Sequence, residues 1–273
     1  MDLSICIVNY RTDKELKCCL ESIKKITKGI SFEVIRIDNS KDNKWYSGGN
    51  NLALSKAKGE YMLFLNPDCY LIENSLAKML DWMNKHPEVG ACEPRQVYDD
   101  GGIAPTGSLL PVWWADLVEL TELSRWFGSV GRLGGLGRLG KIREIRQEDL
   151  NRNENWQTEV VSGATMMVRK EVLDQIGRFD EQLKLYYTDV DLCRRILNAG
   201  FEVWHLGELS LGHSTRKSTE KIKWDELYDI YAGDARNYYL KWGDRIGGTM
   251  LFLAMKINKL IVKVGKRLWR LGR

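Results

Sequence analysis

The sequence predicts an α/β protein built on a mostly parallel sheet flanked by helices. Two observations predict it. Over the first hundred residues, short apolar runs of strand length alternate with segments whose apolar residues recur at helical spacing. Polar residues, Asn9, Asp38 and Asp68, stand where those strand runs stop, which is where such sheets bind ligands. With 273 residues, 44% hydrophobic and 29% charged, the chain can bury one sizeable core, as a single large domain or a domain with an extension.

The elements follow in order. Leu3 to Val8 is the first strand. Thr12 with Glu15 reads as a capping box, opening a helix that places Leu16, Cys19, Leu20, Ile23 and Ile26 on one face. Phe32 to Ile37 is the second strand and ends in Asp38. A helix over 51–58 leads to the strand Tyr61 to Leu65, which runs into Asn66-Pro67-Asp68. Leu76, Met79, Leu80 and Met83 mark another helix, closed by His86-Pro87 before the strand Val89 to Cys92. Later, Thr188 stands as an N-cap with Asp191 three residues on as the capping-box acid; Leu192, Ile196 and Leu197 form the apolar stripe and Gly200 the stop. Trp224, Leu227, Tyr228, Tyr231, Tyr238 and Tyr239 suggest helices packing back on the preceding domain.

The chemistry-bearing residues cluster at turns. Asp189 and Asp191 sit at the mouth of a helix beyond a glycine turn and a Phe-Asp-Glu corner, a construction that suits a general base and equally a helix cap. Leu63-Phe64-Leu65-Asn66-Pro67-Asp68 sends a buried strand into a stiffened turn, aiming a carboxylate outward as a hard divalent cation requires, or serving geometry alone. His213 follows a late apolar run and is either a third ligand or a structural histidine. Six cysteines without Cys-x-x-Cys spacing, and an acidic N-terminus leading directly into a strand, predict a reduced, cytoplasmic protein without a signal peptide or structural zinc. Gly135-Leu136-Gly137-Arg138-Leu139-Gly140 matches the dinucleotide fingerprint formally but follows no apolar strand; the run 128–140 reads as a mobile loop over the acceptor side, or as a glycine-rich helix. Trp113 and Trp114 are read as core rather than sugar-stacking aromatics.

Taken together, Ile-Val-Asn-Tyr at 7–10, Ile-Asp-Asn-Ser at 37–40, Gly-Gly-Asn-Asn at 48–51, Leu-Asn-Pro-Asp at 65–68, Ser-Gly-Ala at 162–164, Phe-Asp-Glu at 179–181, Asp-Val-Asp-Leu at 189–192 and His213 form an ordered set. It resembles the family 2 glycosyltransferases of GT-A fold, especially the bacterial rhamnosyltransferase-like branch that builds surface polysaccharides. The resemblance covers residues 1–240, apart from a variable segment near 100–156. It implies that Asp38, with Asn9 and Asn50, contacts the nucleoside of a nucleoside-diphosphate sugar donor; Gly163 and Arg195 belong to the same binding set. It further implies that Asp68 and His213 hold Mg²⁺ or Mn²⁺ and that Asp189 is the catalytic base of an inverting transfer. Arg169 or Arg195 would assist with the diphosphate, or equally be a solvated cation or a partner for Asp191. Asn66 stands where many members have Asp, and Thr188 where Glu commonly precedes the base, which removes a neighbouring charge and implies a less raised pKa. Rhamnose is the expected sugar, ahead of N-acetylhexosamine and galactofuranose, and the acceptor a lipid-linked or polysaccharide glycan. The rival reading is a non-catalytic nucleotide-sugar or glycan-binding protein of the same fold.

Residues 241–273 read as a separate tail on a domain ending at 240. Leu253, Ile257, Leu260, Ile261, Val264, Leu268 and Leu271 repeat at helical spacing, while Lys256, Lys259, Lys263, Lys266, Arg267 and Arg270 take other positions. The formal charge of +4 is thus concentrated at the C-terminus, which argues against nucleic-acid binding. A basic amphipathic helix of this kind suits the interface of an anionic leaflet on the cytoplasmic face. Alternatively, its apolar face packs on the catalytic domain or on a second subunit in a homo-oligomer.

Overall fold

A computed structural model describes residues 1–120, 153–214 and 219–271. The loop reading at 128–140 lies outside the described residues. The chain clusters into two compact units, one of Met1–Leu110 and Glu144–Lys223, the other of Pro111–Arg143 and Trp224–Arg273. The expected boundary at 240 therefore falls inside the second unit.

The first unit is a mixed sheet with flanking helices. In chain order it comprises β1 (Leu3–Asn9), α1 (Asp13–Ile26), β2 (Phe32–Asp38), α2 (Trp45–Leu54), β3 (Tyr61–Leu65), β4 (Cys69–Leu71), α3 (Ser75–Lys85) and β5 (Val89–Tyr98). After α4 (Trp113–Leu120), which belongs to the second unit, come β6 (Asn155–Thr158), β7 (Thr165–Arg169), α5 (Lys170–Ile176), α6 (Thr188–Asn198) and β8 (Glu202–His213). The strand order is β2-β1-β3-β7-β5-β8-β4, with β6 also on β8. β1 runs parallel to both β2 and β3. β7 enters antiparallel between β3 and β5, and β5 runs parallel to β8. Tyr61-Met62-Leu63-Phe64-Leu65 is buried at every position, as expected of a strand covered on both faces.

Two expected starts move, each for a packing reason. α2 begins at Trp45, not near residue 51, because Gly48 and Gly49 are used for close approach: a Cβ on Gly49 would stand 2.6 Å from Val8 Cγ1. Tertiary contact thus overrides the low helix propensity of two glycines. Neither expected capping box forms. Thr12 is the N-cap of α1 without a side-chain cap bond, its hydroxyl donating instead to Asn9 Oδ1 at 2.8 Å. In α6 the cap position is Tyr187, held left-handed at φ 57°, and Thr188 is the first helical residue.

Arg169, expected near a diphosphate, is structural. Its guanidinium closes the end of β7 by donating to Val89 O at 2.7 Å, Tyr61 Oη at 2.6 Å, His86 O at 2.9 Å and Met83 O. All six cysteines are free thiols; only Cys18 is exposed, and burial pushes Cys6 and Cys19 up to about 12.

The second unit packs α4 with α7 (Trp224–Lys241) and α8 (Arg245–Leu271). The face of α8 turned inward carries Gly247, Gly248, Leu251, Met255 and Asn258. Lys256, Lys259 and Lys263 pair with Asp225 and Asp229 of α7, Lys259 and Lys256 each at 2.7 Å from Asp229. The apolar stripe of α8 faces outward: Ile246, Leu253, Ile257, Leu260 and Ile261 are each more than half exposed. Trp113 and Trp114 lie on α4, and Trp114 is exposed.

Candidate active site

Strand ends and the start of α6 enclose a cavity of about 300 Å³ in the first unit. Val8 and Tyr10 reach it from the end of β1, Asn39, Asn43 and Trp45 from the β2–α2 connection, Asn66 to Asp68 from the end of β3. Ser162 to Ala164, before β7, and Thr188 with Asp189, opening α6, also line it. Of the sequence-predicted site residues, Asp68, Gly163, Asp189 and His213 are brought together here.

Each is placed by a specific contact. Asp189 Oδ2 accepts the Gly163 N–H at 3.0 Å, and the Val190 N–H lies 2.9 Å from Oδ1, so the carboxylate is oriented from both sides. The Gly163 carbonyl in turn accepts the Tyr46 hydroxyl at 2.6 Å, and burial together with the nearby Asp189 raises the Tyr46 phenol well above its ordinary value. The turn is thus locked to α2 as well as to α6. Phe179 of the Phe-Asp-Glu corner packs edge-on against Tyr46 and Phe64, and Asn51 brackets its backbone, donating to Phe179 O at 2.9 Å and accepting Phe179 N–H at 3.0 Å.

Antiparallel pairing of β4 with β8 sets Cys69 opposite His213, which brings His213 Nε2 to 3.5 Å from Asp68 Oδ1. His213 Nδ1 lies 2.7 Å from Gln96 Oε1, whose amide nitrogen donates to Thr165 Oγ1 at 3.0 Å. Facing an amide oxygen, Nδ1 carries a proton, and Nε2 is turned toward the Asp68 carboxylate. Ligand atoms of Asp68, Cys69 and His213 lie within 4.8 Å of one another. The Cys69 thiol, however, is directed at Ala164 O at 3.6 Å, and burial raises it well above its ordinary value. The usable donors are one carboxylate and one imidazole, a set that fits Mn²⁺ and, with waters and phosphate oxygens, Mg²⁺.

The remaining expected residues do not line the cavity. Asn9 is buried with its side chain committed to the start of α1, donating to Asp13 Oδ1 at 2.8 Å. Asp38 is exposed and its carboxylate caps Ser40 N–H at 2.8 Å, which lowers its pKa. Asn50 donates within α2 to Tyr46 O at 3.0 Å. Arg195 pairs with the fully buried Asp191 at 3.0 Å and donates to Ile176 O and Gly177 O. Asn9, Asp38 and Asn50 are short polar side chains at a strand end or helix turn, each taken up by a backbone or helix partner, whereas the Arg195 guanidinium is taken up by Asp191 and two backbone carbonyls. Asn39 and Trp45 stand at the wall instead, and Trp45 holds φ 58° to do so. Among the described lining residues there is no lysine or arginine.

A mixed sheet with acids gathered beyond the ends of its parallel strands defines the GT-A architecture. The profile of Glycosyl transferase family 2 matches residues 35–177, just over half of the chain, and the chain belongs to that family. It is 24% identical over 257 residues to the low-salt glycan biosynthesis hexosyltransferase Agl10 of Haloferax volcanii, covering 88% of this chain and 75% of that protein. It is 25% identical over 192 residues to the N-acetylglucosaminyl-diphospho-decaprenol L-rhamnosyltransferase of Mycobacterium tuberculosis, covering 69% and 57%. Among solved structures it is similar to GalNAc-T7, crystallised with UDP, GalNAc and Mn²⁺, with a TM-score of 0.55 at 14% identity over 87% of this chain and 50% of that one. S. aureus TarS 1–349 gives a TM-score of 0.50 at 14% identity, over 88% and 72%. The chain thus spans between half and three-quarters of the length of these relatives, and the structural likenesses speak to the fold.

Proposed function

We propose that this chain is an inverting transferase that moves a sugar, L-rhamnose first, from a nucleoside-diphosphate donor to a lipid-linked or polysaccharide acceptor in cell-surface glycan synthesis. The observation that carries the reading is that Asp189, Asp68 and His213 line one cavity, with His213 Nε2 3.5 Å from Asp68 Oδ1. In such a transfer the acceptor oxygen attacks the anomeric carbon while the bond from that carbon to the diphosphate breaks. Asp189 takes the acceptor proton, a contribution of about a hundred- to ten-thousand-fold for a positioned base. Asp68 and His213 would hold the divalent cation. A Mg²⁺ or Mn²⁺ held there neutralises charge on the departing diphosphate, worth on the order of several kcal/mol. Arg169 and Arg195 are committed elsewhere and no lysine or arginine stands among the described lining residues, which supports a metal as the counter-charge of the diphosphate.

The choice of rhamnose is supported by the mycobacterial relative, named for L-rhamnosyl transfer to a decaprenol-linked acceptor. UDP-N-acetylhexosamine and UDP-galactofuranose are the competing donors. Thermal-shift measurement with UDP-, dTDP- and GDP-sugars, with and without Mn²⁺, tests the reading: one nucleotide class should raise the melting temperature only with metal. No stabilisation by any of them would refute it.

A lipid-linked acceptor would place the protein at a membrane, on its cytoplasmic face. No helix among the described residues is long and apolar enough to cross a membrane. The outward stripe of α8 supports interfacial docking instead. Since Lys256, Lys259 and Lys263 are already paired with aspartates, the apolar stripe supplies most of the attraction.

A further inference from the structure

The Ser162-Gly163 segment is gripped from two sides. Gly163 N–H goes to Asp189 at the cavity; the preceding amide, Ser162 N–H, goes the other way, to Glu93 Oε2 at 2.9 Å. Glu93 lies within β5 with no exposure at all. Its second oxygen is 3.2 Å from Nδ1 of His205, its register partner on β8. His205 is 1% exposed, with Trp156 of β6 stacked on its ring at 3.9 Å and Thr106 Oγ1 3.4 Å from Nδ1. Burial raises the Glu93 carboxyl, while His205 and the Ser162 N–H oppose that rise. Neither residue lines the cavity.

A buried acid–imidazole pair adds little to stability compared with apolar side chains of the same volume, because desolvation offsets the attraction. What it does contribute is direction. A Glu carboxylate immobilised by a stacked histidine fixes one face of a peptide whose next amide binds the base.

We propose that Glu93, held by His205, is a positioning residue for the Asp189 base: it fixes the Val161–Ser162 peptide so that the following Gly163 N–H holds the Asp189 carboxylate toward the acceptor. A misplacement of reacting groups by about 1 Å can cost on the order of a hundredfold in rate. The inference rests on the transferase reading, so one of its measurements needs no donor.

The experiment compares Glu93→Leu, Glu93→Gln and His205→Gln in the full chain. It measures kcat and KM with the nucleotide sugar that turns over, UDP affinity with Mn²⁺, and the Ser162 and Gly163 amide resonances. Glu93→Leu should lower kcat by about a hundredfold with KM and UDP affinity within about threefold, and should shift both amides. Glu93→Gln, which keeps an oxygen for Ser162 N–H, should recover kcat to within about tenfold of wild type. An unshifted Gly163 amide in Glu93→Leu, or a loss confined to KM, would overturn the proposal. If Glu93→Leu does not fold, His205→Gln carries the test: it should shift the Gly163 amide and lower kcat by about tenfold, and wild-type kcat with an unshifted Gly163 amide in that variant would overturn the proposal. Shifted amides in a protein that turns over no nucleotide sugar would uphold the clamp and count against the transferase reading instead.

Discussion

Asp189 Oδ2 and the Gly163 N–H meet at 3.0 Å, joining the first turn of α6 to the segment that leads into β7. This bond fixes the Asp189 carboxylate by backbone rather than by a mobile side chain. Gly163 also answers Tyr46 through its carbonyl, so one residue connects three elements around the cavity.

Gly163→Ala is therefore expected to damage turnover more than fold. The added Cβ would stand 2.6 Å from Tyr46 Oη and 3.4 Å from Asp189 Cβ, forcing the phenol or the turn to move. kcat should drop by at least about tenfold, whereas Tyr46→Phe, which only deletes the hydroxyl, should cost about 1 kcal/mol of stability. Steady-state kinetics and denaturant titration of the two variants check this, and unchanged kcat in Gly163→Ala contradicts it.

Asp191 should behave as a structural residue despite standing two positions from the base. Its side chain is fully buried against Arg195 at 3.0 Å. Breaking a buried pair from one side costs on the order of 3 kcal/mol, more than the loss of a helix cap. Asp191→Asn should accordingly lower the melting temperature clearly while leaving UDP affinity in the folded protein unchanged. A wild-type melting curve would contradict this assignment.

Most of the sheet and part of the site were legible in the sequence, and the division has physical causes. The strands of the first half are continuous apolar runs with polar stops, so Tyr61–Leu65 was read with its bounds and Asp68 at its end. Asp68, Gly163, Asp189 and His213 came from motif order and share one cavity. Asn9, Asp38 and Asn50 came from the same order but bond locally, and local bonds of short polar side chains are invisible to motif spacing; Arg195, outside those motifs, is held by Asp191. α2 was displaced because its glycines serve packing, which no propensity reveals. Glu93 and His205 were missed altogether: they sit in strands far apart in sequence, and only the β5–β8 register joins them. An acid within the apolar run Val89 to Cys92 and its continuation was the one signal available.

Nucleotide binding should depend on a divalent cation through Asp68 and His213. Calorimetry with UDP or dTDP is expected to show at least about a tenfold loss of affinity in chelator and in Asp68→Ala, with no further effect of chelator on the variant. Equal affinities in Mn²⁺ and chelator for both proteins would contradict the metal assignment.

Membrane attachment should follow the apolar stripe of α8 rather than its lysines. Ile257→Glu with Leu260→Glu, at positions 61% and 63% exposed, should abolish sedimentation with vesicles containing anionic lipid and leave nucleotide affinity unchanged. Retained sedimentation contradicts docking through this stripe. A dimer in wild type that becomes a monomer in the variant, without vesicle binding by either, assigns the stripe to a second copy.

The central claim is that Asp189 removes the acceptor proton, and Asp189→Asn tests it most directly. The amide preserves shape and can still accept the Gly163 N–H through its oxygen, but it cannot take a proton. Transfer by the variant should fall at least about a hundredfold, while UDP affinity with Mn²⁺ stays within about threefold of wild type. Transfer at the wild-type rate by a folded Asp189→Asn protein would contradict the account.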